Sequence, residues 1–267
     1  MAKITEESRE QFRKEADCYK KRIEESLEKE KNILSVLKSS PGDASYKKLT
    51  LAEEMIYVAT LYIAINGSSL KIMELKNNDA LNDARKMLYK AIIYLEEIVT
   101  NSINIAYSEL AEQMAAIANV PVQKRYMRVQ KLGLAIQKVI DGFGDNSKWK
   151  WSFVELQGRF SVVAKNLLDM KAAVKDYFDP NSSDYDTTVL YIRLLKKLLD
   201  DSATAYRDRY ELSTRRIDDI NAGINFLLAN RRISIALGNS EEAEEIKKKA
   251  ITWKKLMESD QKHGKSN

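Results

Sequence analysis

Phe153, Leu156, Phe160, Val163, Leu167, Met170, Val174 and Tyr177 follow one another at alternating steps of three and four residues. At 3.6 residues per turn this spacing lines them along one face of an α-helix, whereas a half-buried strand needs steps of two. The run predicts a helix over 147–178, central to whatever core the chain builds. A second stripe, Leu49, Ala52, Ile56, Ala59, Ile63, Asn66, Leu70 and Met73, keeps its phase through Asn66-Gly67-Ser68-Ser69. Those four residues are poor helix formers, yet the register resumes beyond them. An unbroken helix from Tyr46 to about Lys76 is therefore expected. Asn66 should be buried or half-buried, with hydrogen-bond partners for its amide if buried, and the small residues should let a neighbouring backbone approach.

Such stripes persist because helix breakers are scarce: the only prolines are Pro41, Pro121 and Pro180, and nine glycines serve 267 residues. About eight helices are expected. The first, Ile4 to Lys38, is highly charged, with a thin seam of Phe12, Ala16, Tyr19, Ile23, Ser26, Glu30, Ile33 and Leu37. Two polar members in that seam suit packing on one side only. Ser39-Ser40-Pro41-Gly42-Asp43 ends it with turn chemistry. The third helix runs from an Asp79 N-cap to about Asn119. Ser-Asn pairs near Asn101 could bend it, and Val120-Pro121 stops it because proline disfavours helix in the preceding residue. The fourth ends at Gly142-Phe143-Gly144. Beyond the fifth lie a loop at 179–183, a sixth helix over 184–213 and a seventh over 218–237. Ser240 caps an eighth, with stripe Ala243, Ile246, Ala250, Trp253 and Met257. His263 to Asn267 is a polar tail, expected to be disordered. The fold class is all-α, an elongated bundle or stacked helical hairpins. One helical domain spans 1–262, with a candidate internal division near 120.

Composition narrows the class further. Hydrophobic residues at 44% and charged residues at 31% allow a substantial core under a solvated surface. The formal net charge of +5 is mild for this length and identifies no partner class. Cys18 is the only cysteine, which excludes an intramolecular disulfide or a cysteine metal cage and fits a reducing compartment. The N-terminus carries Glu6 and Glu7 where a signal peptide needs an apolar stretch. The most apolar run, Met55 to Ile65, is far shorter than the ~20 residues of a bilayer span. No transmembrane segment is read, and cytoplasmic location is expected.

Gly238-Asn239-Ser240-Glu241-Glu242-Ala243, followed by Ala250-Ile251, resembles the second helix of a tetratricopeptide repeat, with Gly238, Ala243 and Ala250 at that repeat's spacing. Asp83-Ala84 with Leu88 and Ala91-Ile92 is a weaker echo. The likeness covers about one repeat, and the preceding helices lack the expected aromatic and small residues. It implies a helical hairpin, not membership of that family.

The chain offers little for ordinary catalysis. His263, the only histidine, sits in the tail, so Ser-His, Cys-His and His-metal chemistry lack a scaffold. No glycine-rich phosphate loop occurs. Asp179 to Asp184 faintly suggests a calcium loop, but the turn glycine is missing and Leu190 stands where a bidentate Glu belongs. Glu53-Glu54, Glu96-Glu97, Asp200-Asp201 and Asp218-Asp219 diverge by about 100° on a helix and read as solvated faces. No cofactor and no metal are expected.

One segment departs from this uniformity. Between Val120 and Lys175 stand eleven basic residues (Lys124, Arg125, Arg128, Lys131, Lys138, Lys148, Lys150, Arg159, Lys165, Lys171 and Lys175) and four acidic ones (Asp141, Asp145, Glu155 and Asp169), an excess of 11 − 4 = +7. Lys124, Arg125, Arg128 and Lys131 crowd the start of a helix, where cations oppose the macrodipole. At steps of three and four they share one face. These four are the candidate binding residues, expected as an exposed patch for an acidic protein surface or a phosphate. Lys148-Trp149-Lys150-Trp151 lies nearby and reads as a partly buried aromatic anchor under lysine stems. The functional expectation is a non-enzymatic helical scaffold or adaptor that binds another protein. The alternative is a nucleic-acid-associated protein using segment 120–175. A helical-bundle enzyme working with carboxylates, Tyr and Lys is a third class. An exposed apolar groove would favour protein binding, a continuous basic stripe nucleic acid, and a deep polar pocket of convergent carboxylates the enzyme.

Overall fold

The computed structural model describes residues 5–39, 43–144 and 147–264, and no strand occurs among them. Met1 to Ile4, the Ser40-Pro41-Gly42 part of the expected turn, Asp145 and the Lys265 to Asn267 part of the expected tail lie outside the described residues. The described residues form an all-α helical bundle of ten α-helices. They are α1 Glu6–Ser39, α2 Ala44–Met73, α3 Asn78–Val99, α4 Ala111–Ala116, α5 Val122–Phe143, α6 Lys150–Asn166, α7 Met170–Tyr177, α8 Tyr185–Arg209, α9 Ile217–Ala236 and α10 Ser240–Gly264. A 3-10 turn, Tyr107–Leu110, leads into α4, and a π-helical turn, Tyr210–Thr214, follows α8.

The count exceeds eight because two expected long helices break. The third ends at Val99, where Thr100 adopts φ 67°. That conformation is rare for a β-branched residue, and the Thr100-Asn101-Ser102 run holds poor helix formers. The chain then runs irregularly to the 3-10 turn. The fifth divides at Leu167 to Asp169. The Asp169 carboxylate accepts from the Lys171 and Ala172 N–H groups at 3.0 and 3.1 Å, capping a new helix. The apolar spacing passes through this break, so it gave no sign of it. Capping also differs elsewhere. Asn77, not Asp79, accepts from Ala80 N–H at 3.0 Å, and Asn239, not Ser240, accepts from Glu242 N–H at 3.2 Å. Gly144, at φ 79°, closes α5 as expected.

The chain forms two compact units. The first comprises the described residues of Met1–Thr100, Ala115–Asn119 and Met127–Lys150. Within it α2 packs on both α1 and α3 and so buries two faces: Leu49, Ala52, Ile56 and Ala59 on the expected stripe, with Leu51, Met55, Val58, Leu61 and Ile65 beside it. By length and composition α2 could cross a membrane, with mean hydropathy 1.3 over 18 residues, and half of that window is buried inside the protein. The helix runs unbroken through Asn66 to Ser69, and Asn66 is buried. Its side-chain oxygen accepts from the Asn77 N–H at 2.8 Å, while Ser69 Oγ donates to the Leu75 carbonyl at 2.7 Å. The close backbone approach expected at Gly67 is absent, because a Cβ there would meet nothing within 4 Å.

α1 buries Ala16, Ile23, Ser26 and Glu30, all on the expected seam. Glu30 accepts from Lys90 Nζ at 2.6 Å and from the Tyr94 hydroxyl, both on α3. Burial and then this carboxylate push the Tyr94 phenol well above its ordinary pKa. The 127–143 part of α5 also lies in this unit. It is held by an Arg128–Glu53 ion pair at 2.9 Å, by Lys76 Nζ donating to the Phe143 carbonyl at 2.7 Å, and by Gly142 lying against Leu81.

The second unit comprises Asn101–Met114, Val120–Tyr126 and the described part of Trp151–Asn267. Here α8, α9 and α10 pack as successive antiparallel neighbours. Gly223 on α9 faces the Ala203 carbonyl on α8 and Trp253 on α10, a fit that leaves little room for a side chain. The tetratricopeptide-like stretch does make a hairpin: Gly238 turns at φ 71°, and Ala243, Ala250 and Trp253 are buried. The π-helical turn is tied down by Arg209 and Thr214 on the buried Asp219, and by the Tyr210 hydroxyl on Asp260 at 2.7 Å. α6 is enclosed most of all. Every residue from Phe160 to Leu168 is buried, including the polar Ser161, Lys165 and Asn166.

Candidate functional site

The four cations of the expected patch do not share a surface. Lys124 and Lys131 are exposed, but Arg125 and Arg128 are buried. Arg125 turns inward: its Nε donates to the Val120 carbonyl at 2.9 Å, and Nη1 reaches Met114 Sδ at 3.4 Å and the Leu167 carbonyl at 3.5 Å. Leu167 lies where α6 breaks, so the guanidinium serves carbonyls that irregular backbone leaves without helical partners. Arg128 pairs with Glu53 in the first unit. The expectation of one exposed four-cation patch is thereby corrected. Sequence spacing places side chains on a helical face but does not say what that face meets.

What remains of the patch borders an apolar groove. Within the first unit, Ile56, Tyr57, Thr60 and Ile63 of α2 face Leu134 and Ala135 of α5 across a concavity of about 540 Å³. Glu53, Lys131 and Lys138 stand at its edge. The steps 131, 134 and 138 put both lysines on the same face of α5 as Leu134. Leu134 is 66% exposed and Tyr57 42% exposed, unusual for large apolar side chains placed side by side. Glu53 is already neutralised by Arg128. Neither Lys131 nor Lys138 forms an ion pair among the described residues. The local field at the groove is therefore positive.

α2 shows how the groove arises. Its two buried faces leave one exposed strip, through Glu53, Tyr57, Thr60 and Gly67, and the floor of the groove borders that strip. Trp149, expected as an anchor, is half-buried. Its ring lies under the Arg85 guanidinium at 4.1 Å, near Lys148 Nζ at 5.4 Å, and edge-on to Phe143 at 6.4 Å. Such packing holds the ring as a structural anchor.

Lys165, counted on sequence only within the charge excess, occupies an unexpected place. In the second unit its side chain is fully enclosed, with 0% exposure. Nζ donates to Asn166 Oδ1 at 2.7 Å and stands 4.9 Å from the centre of the Tyr107 ring. Burial, and then the positive Arg232 nearby, push its amine down to about 8. The Tyr107 phenol is pushed above its ordinary range by burial. A sequence signal existed: Lys165-Asn166 interrupts Val162-Val163-Ala164 and Leu167-Leu168, and a charge bracketed by apolar residues on both sides has no solvated face to occupy.

Among the described residues no group of three or more His, Cys, Asp or Glu side chains could hold a metal ion. In the segment that faintly suggests a calcium loop, Asp179 accepts from Asn181 N–H at 3.1 Å and Asp176 accepts from Ser182 Oγ at 2.9 Å, the bonding of an acidic turn.

No curated protein and no solved structure matches the chain. One family does, over residues 8–261, nearly the full length. The chain belongs to the TP0443 family.

Proposed function

We propose that this protein is a non-enzymatic helical scaffold or adaptor that binds another protein, and that the α2/α5 groove receives an acidic amphipathic helix of that partner. The observation that carries the reading is the groove itself: Tyr57 and Leu134 exposed along an apolar floor, with Lys131 and Lys138 at the rim. Helix-in-groove recognition uses this combination, apolar anchors at steps of three and four seated in a groove and charges at its edge. Exposed Tyr and Leu supply the desolvation energy, at roughly 25 cal/mol per Å² of apolar area covered. Two lysines without carboxylate partners among the described residues favour carboxylates on the incoming helix. The nucleic-acid reading has less support, since Arg125 and Arg128 are buried and already bonded. A cytoplasmic setting is part of the proposal, consistent with the lone, unpaired Cys18.

Comparative capture from native lysate tests it. The wild-type chain, Leu134→Asp, Lys131→Glu with Lys138→Glu, and the control Leu212→Asp are run side by side with quantitative mass spectrometry. Leu212 is 71% exposed and belongs to the second unit, whereas the groove residues belong to the first. Proteins retained by wild type and control but lost from both groove variants support the reading, and acidic helical segments should be found among them. The captured set should weaken with added salt only in part, because exposed charges are screened beyond about 8 Å while the apolar contact persists. Identical capture by all four chains would sink the proposal.

A further inference from the structure

Lys165 and Arg232 set two positive charges near one another in the second unit, and neither forms an ion pair among the described residues. All contacts of Lys165 are with neutral groups, Asn166 Oδ1 at 2.7 Å and the Tyr107 ring at 4.9 Å. Arg232 is half-buried and likewise bonded to neutral oxygens, the Ile103 carbonyl at 3.0 Å and Asn104 Oδ1 at 3.4 Å. The Tyr107 hydroxyl is buried and has no hydrogen-bond partner. Buried charges are ordinarily paired, and buried hydroxyls are ordinarily bonded. One short stretch of backbone links these donors: Asn166, bonded to Lys165, donates to the Ser102 carbonyl, Arg232 donates to the Ile103 carbonyl, and Tyr107 follows four residues on. An ammonium carries three N–H donors and Lys165 gives one to Asn166; a guanidinium carries five.

We propose that Lys165, Arg232 and the Tyr107 hydroxyl form a binding site for a small oxyanion, the phosphate or carboxylate group of a soluble metabolite. An oxyanion is a group that can accept from all three, and with both partners ionised its bond to the guanidinium is stronger than the bonds Arg232 makes to neutral oxygens. Entry is through the irregular segment 101–106, which covers the cluster. Its Ser102 carbonyl is held by Asn166 Nδ2 at 3.2 Å and its Ile103 carbonyl by Arg232, while Ser102 and Asn104 are exposed to solvent. Two hydrogen bonds to backbone carbonyls thus fasten the cover, and an anion arriving at Arg232 competes directly with one of them. This site is separate from the α2/α5 groove, and neither proposal needs the other.

The experiment is isothermal titration and thermal melting of the full chain at pH 7 with inorganic phosphate in one arm and acetate in the other, against chloride at matched ionic strength. Binding is expected in at least one arm, with a concentration-dependent rise in Tm. The responding arm tells phosphate from carboxylate. Lys165→Met should abolish the response, Arg232→Gln should weaken it at least tenfold, and the near-isosteric Tyr107→Phe should weaken it several-fold. Hydrogen exchange in 101–106 should slow when the anion binds. Absence of a specific response in both arms would overturn the proposal, and so would an undiminished response in Lys165→Met and Tyr107→Phe.

Discussion

Glu30 and Lys165 each set one charge into an otherwise apolar helical face, and the protein surrounds them differently. Glu30, in the first unit, meets a cation and a phenol from α3: Lys90 at 2.6 Å and the Tyr94 hydroxyl. Its charge is matched on the spot, and it ties α1 to α3. Lys165, in the second unit, meets an amide oxygen and an aromatic face, with another cation nearby. The first arrangement is complete within the chain. The second sets its charge among neutral groups beside another cation, and that arrangement costs stability. A buried charge is thus informative through its partners rather than through its burial.

The energetic scale comes from an apolar neighbour. Phe160, one turn and a half before Lys165 on α6, is buried with no polar atom of its own. Phe160→Ala should destabilise the protein by about 3–5 kcal/mol, the usual range for transfer loss plus cavity at a buried Phe. Denaturant melts check it, and a loss below about 1 kcal/mol would show that the enclosed stretch of α6 is not core. That result would also remove the low-polarity surroundings on which the contrast between the two charges depends.

Lys165→Met should move stability the other way. The amine titrates at about 8 when folded, against its ordinary 10.5. The unfolded chain therefore binds more protons than the folded one between those two values, and stability rises with pH across that window. Below pH 8 the penalty is present in full, at about 3 kcal/mol for a shift of that size. Methionine removes it but leaves the Asn166 amide oxygen without its donor, a loss of about 1 kcal/mol. A net gain of about 2 kcal/mol at pH 7 is expected in chloride buffer, fading towards pH 10.5. Melts of both chains from pH 6 to 10.5 decide it. A wild-type curve that is flat or falling between pH 8 and 10, parallel to that of the variant, would mean that Lys165 is already matched.

Glu30→Ala should cost about 2 kcal/mol, below the roughly 3–5 kcal/mol of a fully buried broken pair, because the Lys90 side chain is 38% exposed and can recover water. Much of the loss should come from the Tyr94 hydroxyl, left buried without its acceptor. Tyr94→Phe made alongside Glu30→Ala should then recover part of it, and a double-mutant cycle measures that coupling. Strict additivity of the two would show that the phenol and the carboxylate do not act together.

The difference between these two charges also marks what the sequence could reveal. Helical class, the stripes of α2, α6 and α10 and the seam position of Glu30 follow from spacing alone, since periodicity reports which residues share a face. The partners of that face come from elsewhere in the chain. Nothing around Glu30 announces Lys90 and Tyr94, sixty residues on. Nothing around Arg125 announces the carbonyl of Leu167, so two buried arginines read as an exposed patch. The break at Asp169 is hidden for a related reason, since apolar residues are needed on the core side whether or not the backbone is helical; the break at Thr100 is partly announced by the Ser-Asn pairs near Asn101. The groove was half legible. Lys131 was singled out, but Tyr57 and Leu134 became its neighbours only through the pairing of α2 with α5.

The smallest expected effect concerns a third polar interruption, the Asn66-Gly67-Ser68-Ser69 run within α2. Asn66 and Ser69 are buried and bonded, like Glu30, and they hold the link from α2 to α3. Gly67, between them, is exposed, helical and free of any neighbour within 4 Å of where a Cβ would stand. It therefore gains nothing from lacking a side chain and retains glycine's entropic disadvantage in a helix. Gly67→Ala should stabilise the protein by up to about 1 kcal/mol, through the unfolded chain's reduced freedom and alanine's higher helix propensity. A change of that sign in denaturant melts, beside a loss of about 1–3 kcal/mol for Asn66→Ala, would establish that polar residues in this helix matter where they are bonded and not where they are merely small. Destabilisation by Gly67→Ala would mean that α2 bends or opens at this point in solution, and the continuous register through residues 66–69 would then no longer describe the helix.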